Sequence, residues 1–146
     1  MKNILVTGGN GFIGAYLVDR LIKERHKVVV IDNNTSIGGI LYSNPKVKFI
    51  NSDIKHSSTY HKLKNFQFDT VYHLAAQSAG ETSYDDPKND ILTNTLGTYL
   101  LAKYCIESKV KKIIYTSSVA VYGNQKEDIN EDCHIEPDSI YGASKY

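Results

Sequence analysis

The chain reads as an α/β protein, a doubly wound parallel sheet of five strands in the order 3-2-1-4-5, and three observations lead there. Short apolar runs alternate with helical patterns along all 146 residues, as they must when helices cover both faces of a parallel sheet. Val28 to Ile31 is apolar without alternation, the mark of a strand buried on both sides. Ile4-Leu5-Val6-Thr7 breaks into Gly8-Gly9-Asn10-Gly11-Phe12-Ile13-Gly14 before a helical pattern begins. A strand, a glycine turn and a helix N-terminus in that order form a pocket for phosphate groups.

Each element follows from local chemistry. The first strand covers about residues 3–7, and its helix about 12–25, expected to bury Phe12, Ile13, Leu17, Leu21 and Ile22 at helical spacing. The second strand is residues 28–31. Gly38, Gly39 and Pro45 make 33–46 a loop with at most a short helix. Val47-Lys48-Phe49-Ile50 is the third strand, with Asp53 at its end, and a helix over about 57–65 leads to the fourth strand at 70–75. Asp86 suits an N-cap and Pro87 the first turn of a long helix to about Ser108. That helix is expected to bury Ile91, Leu92, Leu96, Leu100 and Leu101. The fifth strand, 112–116, runs into Ser117-Ser118, and Asp138 or Ser139 caps a last helix from Tyr141 to Tyr146.

Composition excludes several classes. With 17 basic and 16 acidic side chains the net charge is +1, so no basic stripe recommends nucleic acid. No segment approaches the ~20 apolar residues of a membrane span, and the first apolar run is too short for a signal peptide. Cys105 and Cys133 share no metal-ligand spacing, so no metal is expected and two free thiols fit a cytoplasmic chain.

The glycines satisfy two spacings at once, Gly9-x-Gly11-x-x-Gly14 and Gly8-x-x-Gly11-x-x-Gly14. Asp32 ends the second strand 18 residues past Gly14, near where a dinucleotide site needs a carboxylate for the adenosine ribose. Its charge repels a 2′-phosphate, and Asn33 to Ile40 contains no Arg or Lys to neutralise one. NAD is therefore favoured over NADP. Asp53 is placed to take the adenine amino group.

Tyr141 and Lys145 lie four residues apart on one helical face, where the cation favours the phenolate and makes the tyrosine a base. The spacing alone selects nothing, because Tyr42/Lys46, Tyr60/Lys64, Tyr84/Lys88, Tyr99/Lys103 and Tyr122/Lys126 share it. Placement selects. Proline precedes the lysine in the first and third of these, the second and fourth lie inside helices, and the fifth spans Gly123 in a loop. Tyr141/Lys145 alone opens a helix after a strand that ends in serines, where the Ser118 hydroxyl can share a substrate oxygen.

Together these residues resemble the extended short-chain dehydrogenase/reductase family, with its Rossmann fold, and within it the NAD-dependent sugar-nucleotide epimerases. The likeness runs through Thr7 to Gly14, Asp32-Asn33, Asp53-Ile54, His73-Leu74-Ala75-Ala76-Gln77, Asn94, Tyr115 to Ser118, Val121-Tyr122-Gly123 and Tyr141 to Lys145. It implies a cofactor site of Gly8, Gly11, Phe12, Ile13, Gly14, Asp32, Asn33, Asp53, Ile54, Leu74, Ala75, Ala76, Asn94, Tyr141 and Lys145. Asn94 would hold the ends of the fourth and fifth strands. Ser118, Tyr141 and Lys145 would be catalytic, as hydroxyl partner, base, and cofactor anchor with pKa tuner. The implied reaction moves the C4 hydroxyl proton of a UDP-hexose to Tyr141 and the hydride from C4 to NAD, then returns hydride to the other face of the sugar.

Ser118-Val119 stands where dehydratases of the family carry Asp-Glu, which favours a 4-epimerase of the UDP-glucose/UDP-galactose type. A reductase or dehydratase of the same family and a non-enzymatic NAD-binding module are the alternatives. Residues 1–146 read as one dinucleotide-binding domain, without the C-terminal lobe that grips the nucleotide sugar in the family. The expectation is therefore NAD binding without turnover, and a homodimer through the helix at about 87–108.

Overall fold

Five short strands pair in parallel in the order β3-β2-β1-β4-β5, in a computed structural model that describes residues 1–35, 45–125 and 128–146. The strands are β1 (Asn3–Thr7), β2 (Lys27–Asp32), β3 (Val47–Asn51), β4 (Thr70–His73) and β5 (Lys112–Tyr115). Because side chains alternate across a strand, the sheet divides its apolar residues between two cores. Ile4, Val6, Val28 and Val30 pack with Val18 and Leu21 of α1 (Phe12–Lys23). Leu5, Val29, Ile31 and Val71 face the other way, onto Tyr60 of α2 (Ser57–His61), with Leu101, Tyr104 and Cys105 of α5 (Gly97–Glu107). Both faces are covered, as the uninterrupted apolar run of β2 requires.

Between β4 and α5 lie α3 (Gly80–Asp85), α4 (Pro87–Asp90) and a π-helical stretch, Ile91–Leu96. Asp86 caps α4 as expected, its side chain accepting from the Asn89 N–H, with Pro87 in the first turn. A 3₁₀ turn at Val119–Tyr122 follows β5, and α6 (Ile140–Lys145) closes the chain, with the Ser139 hydroxyl accepting from the Gly142 N–H.

Two burial expectations fail. Phe12 and Ile13 are 77% and 64% exposed, because the first-turn positions that α1 buries are Gly14 and Ala15. In the long helical run Ile91 is 52% exposed and Leu96 is also exposed, while Leu92 and Leu100 are only half-buried. The buried stripe is Asp90, Asn94, Gly97, Leu101 and Tyr104. It keeps helical spacing, but its first half is polar, and apolar residues alone place the stripe one position off. The helix expected over 57–65 ends at His61, and α3 was not foreseen. Most of the loop expected over 33–46 lies outside the described residues, as do Tyr42 and Lys126 of the rejected pairs.

Candidate functional site

The strand order reverses at β1, which has β2 on one side and β4 on the other, and ligands of open α/β sheets bind in the crevice at such a point. There the chain leaves β1 through Gly8, whose φ of +73° suits glycine. A Cβ on Gly8 would come within 2.6 Å of the Ala75 nitrogen, and one on Gly14 within 2.1 Å of the Gly8 carbonyl oxygen. The glycines therefore let loop, helix start and β4 end touch backbone to backbone. The first turn of α1 turns N–H groups without intrahelical partners towards the opening.

A cavity of roughly 610 Å³ opens at this point. Gly8, Gly11, Phe12, Ile13, Gly14, Asp32, Asn33, Asp53, Ile54, Leu74, Ala75 and Ala76 all line it. Exposure of Phe12 and Ile13 thus has a reason. Asn94, Ser118, Tyr141 and Lys145 are not among its lining residues. Sequence reasoning missed Lys55, Asn89 and Thr93, which line the same cavity. Asn89 and Thr93 stand four apart just after the Asp86-Pro87 cap, a spacing that could have flagged them.

Hydrogen bonds set the carboxylates. Asp32 accepts from the Asn10 N–H through Oδ2 at 2.9 Å and from the Asn34 N–H through Oδ1 at 2.8 Å. A carboxylate has about four acceptor sites, so two remain for hydroxyl donors. Burial alone would raise the Asp53 carboxyl, but the Lys55 N–H, the Asn33 amide and the Lys55 and His56 charges outweigh it and hold it below the usual range. Lys55 Nζ lies 3.6 Å from Asp53 and donates to Asn89 Oδ1 at 2.8 Å.

Beneath the cavity His73 is enclosed, with Thr7 Oγ1 2.6 Å from Nδ1 and Thr98 Oγ1 2.9 Å from Nε2. Burial and the Lys145 charge push its pKa down to about 4, so the ring is neutral at physiological pH.

At the end of the sheet α6 carries Tyr141 and Lys145. Its docking is polar: Ser117 Oγ donates to the Lys145 carbonyl at 2.8 Å and the Tyr115 hydroxyl at 3.3 Å. Lys145 is 3% exposed, with Nζ 4.5 Å from the Tyr115 ring centroid. Burial lowers its pKa to about 8. Ser118 Oγ accepts from the Ala120 N–H at 3.2 Å, which leaves its own proton to donate. Asn94 accepts from the Gln77 N–H and donates to Gln77 O and Ser144 Oγ. It joins the segment after β4 to α6, and β5 is not among these partners.

A family model described as the NAD dependent epimerase/dehydratase family matches residues 4–146. UDP-glucose 4-epimerase of Mycolicibacterium smegmatis is 38% identical over 147 residues, covering 97% of this chain and 47% of that protein. UDP-glucose 4-epimerase of Thermotoga maritima, solved with UDP-glucose, superposes with a TM-score of 0.92 at 34% identity, over 99% of this chain and 48% of the other. The Thermus thermophilus UDP-glucose 4-epimerase, a complex with NAD, gives 0.89 at 34% identity, over 98% and 47%. The chain spans about half the length of these relatives.

Proposed function

The chain belongs to the NAD-dependent epimerase/dehydratase family, and on that premise we propose that it forms the NAD-binding half of a nucleotide-sugar 4-epimerase of the UDP-glucose/UDP-galactose type. The observation that carries the reading is the cavity at the β1/β4 switch point, lined by glycines at one end and by Asp32 and Asp53 at the other. Its shape and donors fit NAD. The pyrophosphate would lie on the first turn of α1, the adenosine ribose at Asp32, the adenine near Asp53 and Ile54, and the nicotinamide half near Leu74 to Ala76.

NAD, when bound, supplies a reversible hydride acceptor. The rest of the chemistry belongs to side chains. Tyr141 takes the proton from the C4 hydroxyl of the hexose and returns it. The Lys145 ammonium, still charged at neutral pH, favours the phenolate. Ser118 keeps a free O–H with which to hold the same substrate oxygen. Val119 follows it and supplies no acid or base for water elimination, which favours epimerisation over dehydration.

Calorimetric titration of the purified chain with NAD and with NADP tests the cofactor half of this reading. Saturable NAD binding with NADP at least ~10-fold weaker is expected, and no NAD binding would overturn it. In the protein carrying this chain, Tyr141→Phe should cut UDP-galactose conversion by ~10²-fold or more while NAD still binds. Full activity in that variant would remove Tyr141 from the reaction.

A further inference from the structure

Asp90 ends α4 in complete burial. Its Oδ2 accepts from the Ser83 hydroxyl and from Asn94 Nδ2 at 3.3 Å, while Oδ1 is buried with no hydrogen-bond partner. Asn94 Nδ2 shares its protons with Ser144 Oγ at 3.0 Å, one residue before Lys145. α6 packs directly on α3, α4 and the π-helical stretch. Lys145 has the complementary difficulty: its ammonium is buried, rests on an aromatic face, and has no ion-pair partner within 4.0 Å among the described residues. A ring face offsets only part of the cost of burying a cation, and buried charges are ordinarily compensated by opposite ones.

We propose that Asp90 is a positioning residue for the reaction, its buried carboxylate serving as the counter-charge of the Lys145 ammonium across the α4–α6 contact. Burial drives the lysine towards its neutral form, and the Asp90 carboxylate opposes that drift. The other titratable groups facing the pair do not replace it. Tyr115 from β5, Tyr122 from the 3₁₀ turn packed on α6, and Tyr141 from α6 are phenols, and His73 from β4 is held neutral by burial. The charged residues of α3 and its junction with α4, namely Glu81, Asp85, Asp86 and Lys88, are all exposed. Asp90 thus acts through Lys145, as a carboxylate that keeps the ammonium charged while Tyr141 cycles its proton.

For catalysis this inference rests on the roles of Tyr141 and Lys145 given above, but its test needs no nucleotide. The chain is labelled with lysine carrying carbon-13 at Cε, the Lys145 signal is assigned by its loss in Lys145→Met, and the midpoint is followed from neutral pH upward. The wild-type midpoint is expected at about 8. Asp90→Asn, which keeps the shape and removes the charge, should lower it by about one unit, and Asp90→Glu should restore most of that shift. An unchanged midpoint in folded Asp90→Asn overturns the proposal. Should Asp90→Asn not fold, Ser144→Ala decides: it cuts the tie to Asn94 and leaves both charges, so the midpoint should stay. A fall of a full unit there would assign the effect to helix packing and overturn the counter-charge. Failure of NAD titration, with the lysine shift present, would strike the functional reading alone.

Discussion

Asp32 holds one backbone N–H on each of its oxygens, so its side chain is fixed before any ligand arrives. This preorganisation makes it a sharp reader of the ribose. Asp32→Ala removes two charge-assisted acceptors facing NAD, each worth about 1.5–3 kcal/mol, and also the repulsion facing a 2′-phosphate. NAD affinity should fall ~10-fold or more while NADP affinity changes far less, and equal losses in parallel titrations would show that Asp32 reads something else. His73 tests the interior in the same way. Its folded pKa near 4 lies below the ordinary 6.5, so the unfolded chain binds the extra proton first. Stability from this residue is complete above about pH 6.5 and is lost as pH falls towards 4. In a proton NMR titration the His73 ring signals should stay flat from pH 8 to about 5.5, and an ordinary midpoint near 6.5 would mean that the Thr7 and Thr98 contacts do not enclose the ring.

At the scale of elements, two helices end alike. α1 turns off through Arg25 at φ +64°, with the His26 N–H bonded to the Leu21 carbonyl; α5 turns off through Lys109 at φ +54°, with the Val110 N–H bonded to the Cys105 carbonyl. Both place a bulky residue where glycine is at ease, a left-handed conformation that costs roughly 1–2 kcal/mol. Replacing both, Arg25→Gly with Lys109→Gly, should raise unfolding stability in urea by about 1 kcal/mol after the entropy glycine adds to the unfolded chain. A loss instead would show that the side chains make contacts worth more than the strain.

The elements also show where sequence was legible. β1, β2 and the glycine turn were readable because short apolar runs and glycine spacing depend only on neighbours in the chain. The caps at Asp86 and Ser139 were readable for the same reason. The stripe through Asp90, Asn94 and Gly97 was not, since the hydrogen bonds that Asp90 and Asn94 do make reach Ser83, Gln77 and Ser144, partners fixed by the tertiary fold. Lys55 was missed likewise, its amine being set by Asn89, 34 residues away.

For the molecule as a whole, the β3-β2-β1-β4-β5 order puts one crevice at the centre and, among the described residues, leaves part of the outer surface of α5 uncovered. Tyr99 and Ile106, seven residues apart on α5, share a face and are both exposed. We expect this face to pair with a second copy of the chain. Sedimentation should show concentration-dependent dimers, and Tyr99→Glu with Ile106→Glu should leave monomers; a wild-type chain that stays monomeric at high concentration would refute the pairing. α6 raises a different matter, because what docks it on the end of the sheet is largely polar. It is held by the Ser117 and Tyr115 hydroxyls on one carbonyl and by Gly142 packed against the Ala120 carbonyl oxygen. Those contacts are polar, whereas the two cores pack apolar side chains and include no residue of α6, so its docking and the cores depend on different interactions. The crevice and the Tyr141–Lys145 pair therefore rest on different chemistry, the first on glycine backbone packed against backbone and the second on hydroxyls bonded to a single carbonyl.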